Sequence, residues 1–202
     1  MASTCRVSKV NARVVRAGSL ARVPWRNGGG TTAEIAAFPE GAGFDAFDWR
    51  ISLADVEAEG PFSAFPGIDR TLMLVKGTRL ALTIEGVSHG LDAPGASWSF
   101  AGEEPVTAQL LAGPIRDLNV MTRREVCRHR MRLVRAGVIV PADDACALVL
   151  VALDGTFDAV VDGTIHSLGR LDALVARPAP EILPLSGTGR AVLIEITPGD
   201  AP

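Results

Sequence analysis

Short runs of apolar or alternating residues recur along the whole chain, separated by Gly, Pro and Asp turns: TTAEIAAF, DWRISLADV, TLMLVKG, RLALTIEG, TAQLLAG, RDLNVMT, ALVLVALDG, FDAVVDG, EILPL and RAVLIEIT. A period of two marks strands, and many short strands at even spacing predict an all-β sandwich or barrel. Helical periodicity is weak throughout. The segment around residues 123–135 is the best helical candidate, and GRLDALVA reads as a short helical turn through Leu171, Leu174 and Val175 or as a strand.

The runs fall into two copies of one pattern, residues 71–122 and 147–197. Each copy opens on an apolar strand that reaches a Gly turn (Gly77, Gly155), passes through a second strand to Gly86 or Gly163, and closes on a strand ending in Thr. Two copies are too few for a solenoid, which needs about three. The chain is therefore read as two barrel or sandwich units, 1–123 and 124–202. Residues 124–145 contain the link, and the first seventy residues add strands to one or both sheets. Aligning the copies sets Asp117, Asn119 and Met121 opposite Val192, Ile194 and Ile196. Side chains alternate across a strand, so each trio shares a face. The alignment predicts a polar pocket in the first unit against a hydrocarbon core in the second; the alternative is that the polar face of the first copy turns outward.

Composition narrows the function. With 202 residues, 48% of them hydrophobic, the chain can bury a core. A net charge of −3 removes the electrostatic case for nucleic acid, and the basic cluster TRREVCRHRMR reads as a solvated face. No apolar run has membrane-spanning length, and MASTCRVSKVNARVVR is too broken by charge for a signal peptide. Cys5, Cys127 and Cys146 lack metal-ligand spacing and read as reduced thiols. His89, His129 and His166 lie far apart with no HxH or HExxH, so neither a metal nor a cofactor is expected. A serine triad lacks both GxSxG and a histidine in the polar clusters.

Four polar clusters carry the candidate chemistry. PWRNGGGTT, residues 24–32, holds three consecutive glycines, whose amides form either an anion nest or a tight loop between strands. In Trp49-Arg50-Ile51-Ser52-Leu53-Ala54, alternation sets Arg50 and Ser52 on one face, as a carboxylate-binding pair or as solvated groups. GPFSAFPGIDR, residues 60–70, is a turn over Phe62 and Phe65, with Asp69 and Arg70 reading as a surface pair. The fourth cluster is Asp117, Asn119, Met121 and Arg123, all of one parity.

The stretches PWRNGGGTTAEI, FDWRISLADV, EGPFSAFPGIDRTLMLVKG and LAGPIRDLNVMTRR, in this order and spacing, resemble the HutD/Ves family. The resemblance implies a bicupin of RmlC-like jelly-roll units, a link to bacterial histidine utilisation and a cytoplasmic location. It implies an accessory or regulatory binding role more than an enzyme. Most cupins hold a metal through His and Glu on barrel strands, and this chain departs from that at every expected histidine.

The resulting expectation is a binding protein for a small carboxylate, such as formylglutamate or urocanate, inside the N-terminal barrel. Arg50 and Arg123 would hold carboxylates. Asn27, Thr31, Ser52 and Asn119 would orient the ligand, Trp25 or Trp49 would form an apolar wall, and Glu34 and Asp117 would fix the arginines. No catalytic residue is assigned. The alternatives are a metal-independent isomerase or lyase with Glu34 or Asp117 as base, and a protein-interaction module. A homodimer is compatible with all three.

Overall fold

A computed structural model describes residues 9–199, so Cys5 lies outside the described residues. The first strands are β1 (Asn11–Val15), β2 (Val23–Pro24), β3 (Gly30–Phe38), β4 (Trp49–Val56), β5 (Gly60–Pro61) and β6 (Ile68–Lys76). Next come β7 (Leu80–Ile84), β8 (Val87–Leu91), β9 (Ser97–Ala101), β10 (Val106–Leu110) and β11 (Ile115–Arg123). The last are β12 (Cys127–Val134), β13 (Gly137–Ile139), β14 (Ala147–Val161), β15 (Thr164–Leu168), β16 (Ala173–Arg177) and β17 (Leu183–Pro198).

Both candidate helical segments are strands. Residues 127–134 form β12, in which Arg128 and Arg130 are exposed while Cys127 is buried, so the basic run is a strand with solvated positions. Residues 173–177 form β16, buried at its first four positions. Burial on both faces hides the period of two there, and an apolar run without alternation is ambiguous between helix and strand.

The chain divides into two compact units. Of the described residues, one comprises Gly18–His129 with 198–199, and the other 9–17 with Arg130–Thr197. The expected boundary after Arg123 lies six residues too early, and β1 crosses to the C-terminal unit by pairing with β16.

In the N-terminal unit a six-stranded sheet, β2-β3-β4-β11-β6-β9, faces a four-stranded sheet, β5-β10-β7-β8. Leu72, Leu74, Val56 and Ile115 of the first pack with Leu80, Leu82, Val106 and Ala108 of the second. In the C-terminal unit the long strands β14 and β17 pair from Ala147 opposite Ile196 to Ala159 opposite Leu185, with one register irregularity between Ala152 and Asp154. The sheet runs β1-β16-β14-β17-β12, with β15 on β14 and β13 on β17.

The pairings correspond: β6 lies between β9 and β11 as the first half of β14 lies between β16 and β17. Both copies turn a hairpin on an acidic residue and a glycine at positive φ: Glu85 (49°) and Gly86 (81°), Asp162 (46°) and Gly163 (75°). Two successive positive φ values define the tight turn that matches strand twist, which is why Gly recurs there.

The expected alignment fails by one residue. The interior cluster of the C-terminal unit contains Leu148, Leu150, Ala152, Ala191 and Leu193, whereas Val192, Ile194 and Ile196 lie buried on the opposite face. In the N-terminal unit Asp117 and Asn119 pair with Leu74 and Leu72, which face its interior. The positions that match them are therefore Ala191 and Leu193. A slip of one residue exchanges the faces of a strand, and nothing in an apolar run such as AVLIEI marks which face is which.

Candidate functional site

The interior polar groups of the N-terminal unit come from three adjacent strands. Register brings Arg50 of β4, Met121 of β11, Arg70 of β6 and Phe100 of β9 onto one rung. The next rung carries Glu34, Ser52, Asn119 and Leu72, and the one beyond it Thr32, Ala54, Asp117 and Leu74. Residues directly opposite in a ladder share a face, so Arg50, Arg70, Ser52, Asn119 and Asp117 all belong to the face that carries Leu72 and Leu74. Arg50 and Ser52 thus share one face with Asp117 and Asn119.

Arg70 is the residue the sequence reading missed. It does not pair with Asp69, whose carboxylate accepts from Arg124 instead. Arg70 is only 6% exposed, and its guanidinium carbon lies 5.4, 5.4 and 5.0 Å from the rings of Phe62, Phe65 and Phe100. Its Nη1 donates to the Ser63 carbonyl at 3.4 Å. Burial lowers its pKa to about 10, and the charge of Asp117 acts against that shift. The signal was present in β6, where Arg70 has the parity of Ile68, Leu72 and Leu74.

Asp117 is 2% exposed, and burial raises its carboxyl to about 7 against the opposing pull of Arg70. Its Oδ1, the Oδ1 of Asn119 and the Nε of Arg70 are buried with no hydrogen-bond partner among the described residues. Buried polar atoms are nearly always paired, and each orphan costs roughly 1–3 kcal/mol. Three on one face of one sheet set this layer apart from ordinary core.

At the rim, Arg50 donates from Nε to Glu34 Oε2 at 2.8 Å and lies 4.6 Å from the Phe44 ring centroid. Glu34 keeps 40% of its side chain exposed, so this pair bridges solvent and interior. Arg50 therefore has the acidic partner expected of it, whereas Asp117 acts on Arg70 through charge and not through a hydrogen bond.

Five residues expected to contact the ligand are otherwise engaged. Arg123 donates from Nε and Nη2 to the carbonyls of Phe47 and Asp45, which pins the loop before β4. Asn27 is exposed, and its Oδ1 accepts from the Gly29 amide. Thr31 pairs with Asp55, the register of the opposite face, while Thr32 occupies the interior one. Trp25 donates to Thr32 Oγ1 at 2.7 Å and packs on the core, and Trp49 lies on the face away from Arg50, stacked with Phe38.

The glycines of the first cluster form a tight loop and not an anion nest. The Gly28 amide donates to the Trp25 carbonyl and the Gly29 amide to Asn27. A Cβ on Gly30 would meet the Asp55 carbonyl at 2.2 Å, so close backbone approach requires glycine there.

Behind Arg70, on the opposite face of the sheet, His129 holds a hydroxyl chain. Its Nδ1 and Nε2 each lie 2.7 Å from a threonine Oγ1, of Thr122 and Thr71, and Thr71 lies 2.7 Å from Ser99 Oγ. Burial lowers the histidine to about 4, so it is neutral at pH 7. A cleft of about 340 Å³ is lined by these groups together with Asp69, Arg70, Phe100 and Arg128. β12 brings His129 to Thr71, 58 residues earlier in the chain. No group of three His, Cys, Asp or Glu among the described residues is arranged to hold a metal ion. No helix among them is long and apolar enough to cross a membrane.

The HutD family model matches residues 17–193. The chain belongs to the HutD family. It is 32% identical over 184 residues to a 21.2 kDa protein in the hutC 3′ region of Pseudomonas putida, spanning 91% of this chain and 96% of that one. The solved structure of HutD from Pseudomonas fluorescens SBW25 superposes with a TM-score of 0.81 at 34% identity, covering 94% of this chain and all of that one. A cupin 2 conserved barrel domain protein from Leptotrichia buccalis shares the fold at 10% identity and a TM-score of 0.56. HutD membership thus joins a cupin-type, all-β architecture, as the motifs implied. The polar layer described above lies wholly within the matched residues.

Proposed function

We propose that this chain is an accessory protein of histidine utilisation that binds a small carboxylate, such as formylglutamate or urocanate, in the polar layer of its N-terminal barrel, in the cytoplasm. One observation carries the reading: three buried polar atoms, Arg70 Nε, Asp117 Oδ1 and Asn119 Oδ1, have no protein partner among the described residues on a shared interior face. A ligand that supplied those partners would recover the cost of burying them. Arg70 would take the carboxylate with help from Arg50, and Ser52 and Asn119 would orient it. The HutD relation supports the metabolic setting.

A second reading is favoured by Asp117 alone. A carboxyl brought to about 7 by burial is suited to proton transfer near neutral pH, as a metal-independent isomerase or lyase would need. Calorimetry with formylglutamate, urocanate and glutarate, followed by NMR of each recovered acid, separates the two. Micromolar binding with unchanged acid supports the accessory role, and conversion of any acid supports the enzyme. Absence of both, at millimolar acid, ends the carboxylate reading.

A further inference from the structure

The unpaired atoms of the polar layer are not interchangeable, and their order along the strands carries information. The two arginines lie on the rung of Met121, and Arg50 pairs with Glu34 of the adjoining rung. Asn119 is one rung further along the strands and Asp117 two. Successive residues on one face are spaced by about 6.6 Å, so the donor end and the farther acceptor are roughly 13 Å apart at the backbone, less after side-chain reach. The layer is a donor followed by two acceptors.

We propose that the site selects acids carrying an N–H donor several bonds from the carboxylate, such as an azole or a secondary amide, and that Asp117 is the residue that enforces the choice. The proposal rests on the carboxylate reading above and adds the chemistry of the ligand's other end. Arg70 has only donors to offer, so the group that meets its Nε must accept. Asp117 Oδ1 is an acceptor, and an ionised carboxylate has no donor at all. An amide can turn over and present its NH₂ group in place of its oxygen, so Asn119 tolerates either partner. Asp117 does not. A plain carboxylate, ester or ether placed beside it would set lone pairs against lone pairs in a water-poor layer. Sites built to hydrogen-bond a donor reject analogues lacking it far more strongly than apolar pockets reject a missing methylene.

The protein's own groups do not relieve this requirement. From the six-stranded sheet the charged residues on that face, besides Asp117, are Arg50, Arg70, Glu34 and Arg123, the last donating to the Phe47 and Asp45 carbonyls. Arg50 is engaged with Glu34, and Arg70 makes no hydrogen bond to Asp117. The four-stranded sheet brings Leu80, Leu82, Ile84, Leu91, Val106 and Ala108 to the interior cluster, and its edge strand β8 sets His89 opposite Leu82, stacked on Trp98.

The test compares urocanate with 3-(2-furyl)acrylate, two planar unsaturated acids that differ in whether the ring bears N–H. Calorimetry at pH 8 keeps Asp117 largely ionised. Urocanate should bind at least tenfold more tightly to the full chain, and Asp117→Leu should bring the two acids within about twofold of each other. Furylacrylate should bind that variant as well as, or better than, the wild type. Equal affinity of the wild-type protein for both acids would overturn the proposal and leave the carboxylate reading standing, as would a tenfold preference that survives Asp117→Leu. If urocanate, furylacrylate, N-formylglutamate and glutarate all fail to bind at millimolar concentration, the carboxylate reading falls and the proposal with it. The wild-type comparison alone decides if Asp117→Leu does not fold.

Discussion

In the C-terminal unit the interior rungs of β14 and β17 are Ala152 with Ala191, Leu150 with Leu193, and Leu148 with Glu195. In the N-terminal unit the rungs at the same place in the strand plan are Leu74 with Asp117, Leu72 with Asn119, and Arg70 with Met121. Each interior thus contains a buried acid, but the two acids differ in how they are answered. Glu195 accepts from the Ala142 amide at 2.9 Å and from Arg132 Nε at 3.3 Å. Asp117 has an orphan oxygen and a cation that acts only through its field. A satisfied buried acid is a structural part of its unit; an unsatisfied one costs stability that a purely structural role would not retain. Burial by itself does not distinguish them, since both are 2% exposed.

The comparison breaks first if the apolar interior accepts charge. Leu193→Asp should destabilise the protein by about 4 kcal/mol or more in urea denaturation, because no donor is at hand there. A loss below about 1 kcal/mol would mean that the two interiors are equally polar in practice. Next in size is Arg70→Leu. Truncating a buried charged contact costs about 2–5 kcal/mol, so calorimetry should find affinity for a bound acid reduced about thirtyfold or more. Arg50→Leu should lose only about tenfold, since the Arg50 Nε is already committed to Glu34.

The third prediction uses pH. Burial raises Asp117 from 3.8 to about 7, so its contribution is fully present below pH 4 and is lost as pH rises through 7. Wild type should therefore lose stability relative to Asp117→Asn between those limits, by a swing on the order of 2–4 kcal/mol, and no further above pH 8. Melting curves of both proteins across pH 4–9 check the sign; a difference independent of pH would show that Asp117 titrates normally. Glu195→Leu sharpens the contrast further. It should cost about 1–3 kcal/mol by leaving the Ala142 amide unanswered, with acid affinity unchanged. Arg79 makes a surface pair with Asp92, both more than half exposed, and Arg79→Leu should change stability by under about 0.5 kcal/mol and binding not at all.

Much of the architecture was legible in the order of residues, because strand alternation and turn chemistry are local. The runs at 71–76 and 147–153, the Glu-Gly and Asp-Gly hairpins and the repeat all follow from neighbours within about ten residues. Arg50 and Ser52 share a face with Asp117 and Asn119 because alternation in two separate strands is enough to pair them once the register is set. The one-residue slip in the second copy marks where local pattern ends. AVLIEI is hydrocarbon on both faces except at Glu195, so only pairing with β14 decides which residues look inward.

Composition and alternation alone determined a two-copy β protein with Asp117 and Asn119 sharing one parity of the exit strand of its first copy. Tertiary structure decided the rest: that Arg70 leaves Asp69 for an aromatic enclosure, that Arg123 turns to loop carbonyls, that His129 reaches Thr71, and that three polar atoms remain unpaired. The reason is that hydrogen-bond satisfaction is a property of three-dimensional neighbours. A sequence can show that a polar group is headed inward, but whether anything waits there to meet it depends on strands dozens of residues away.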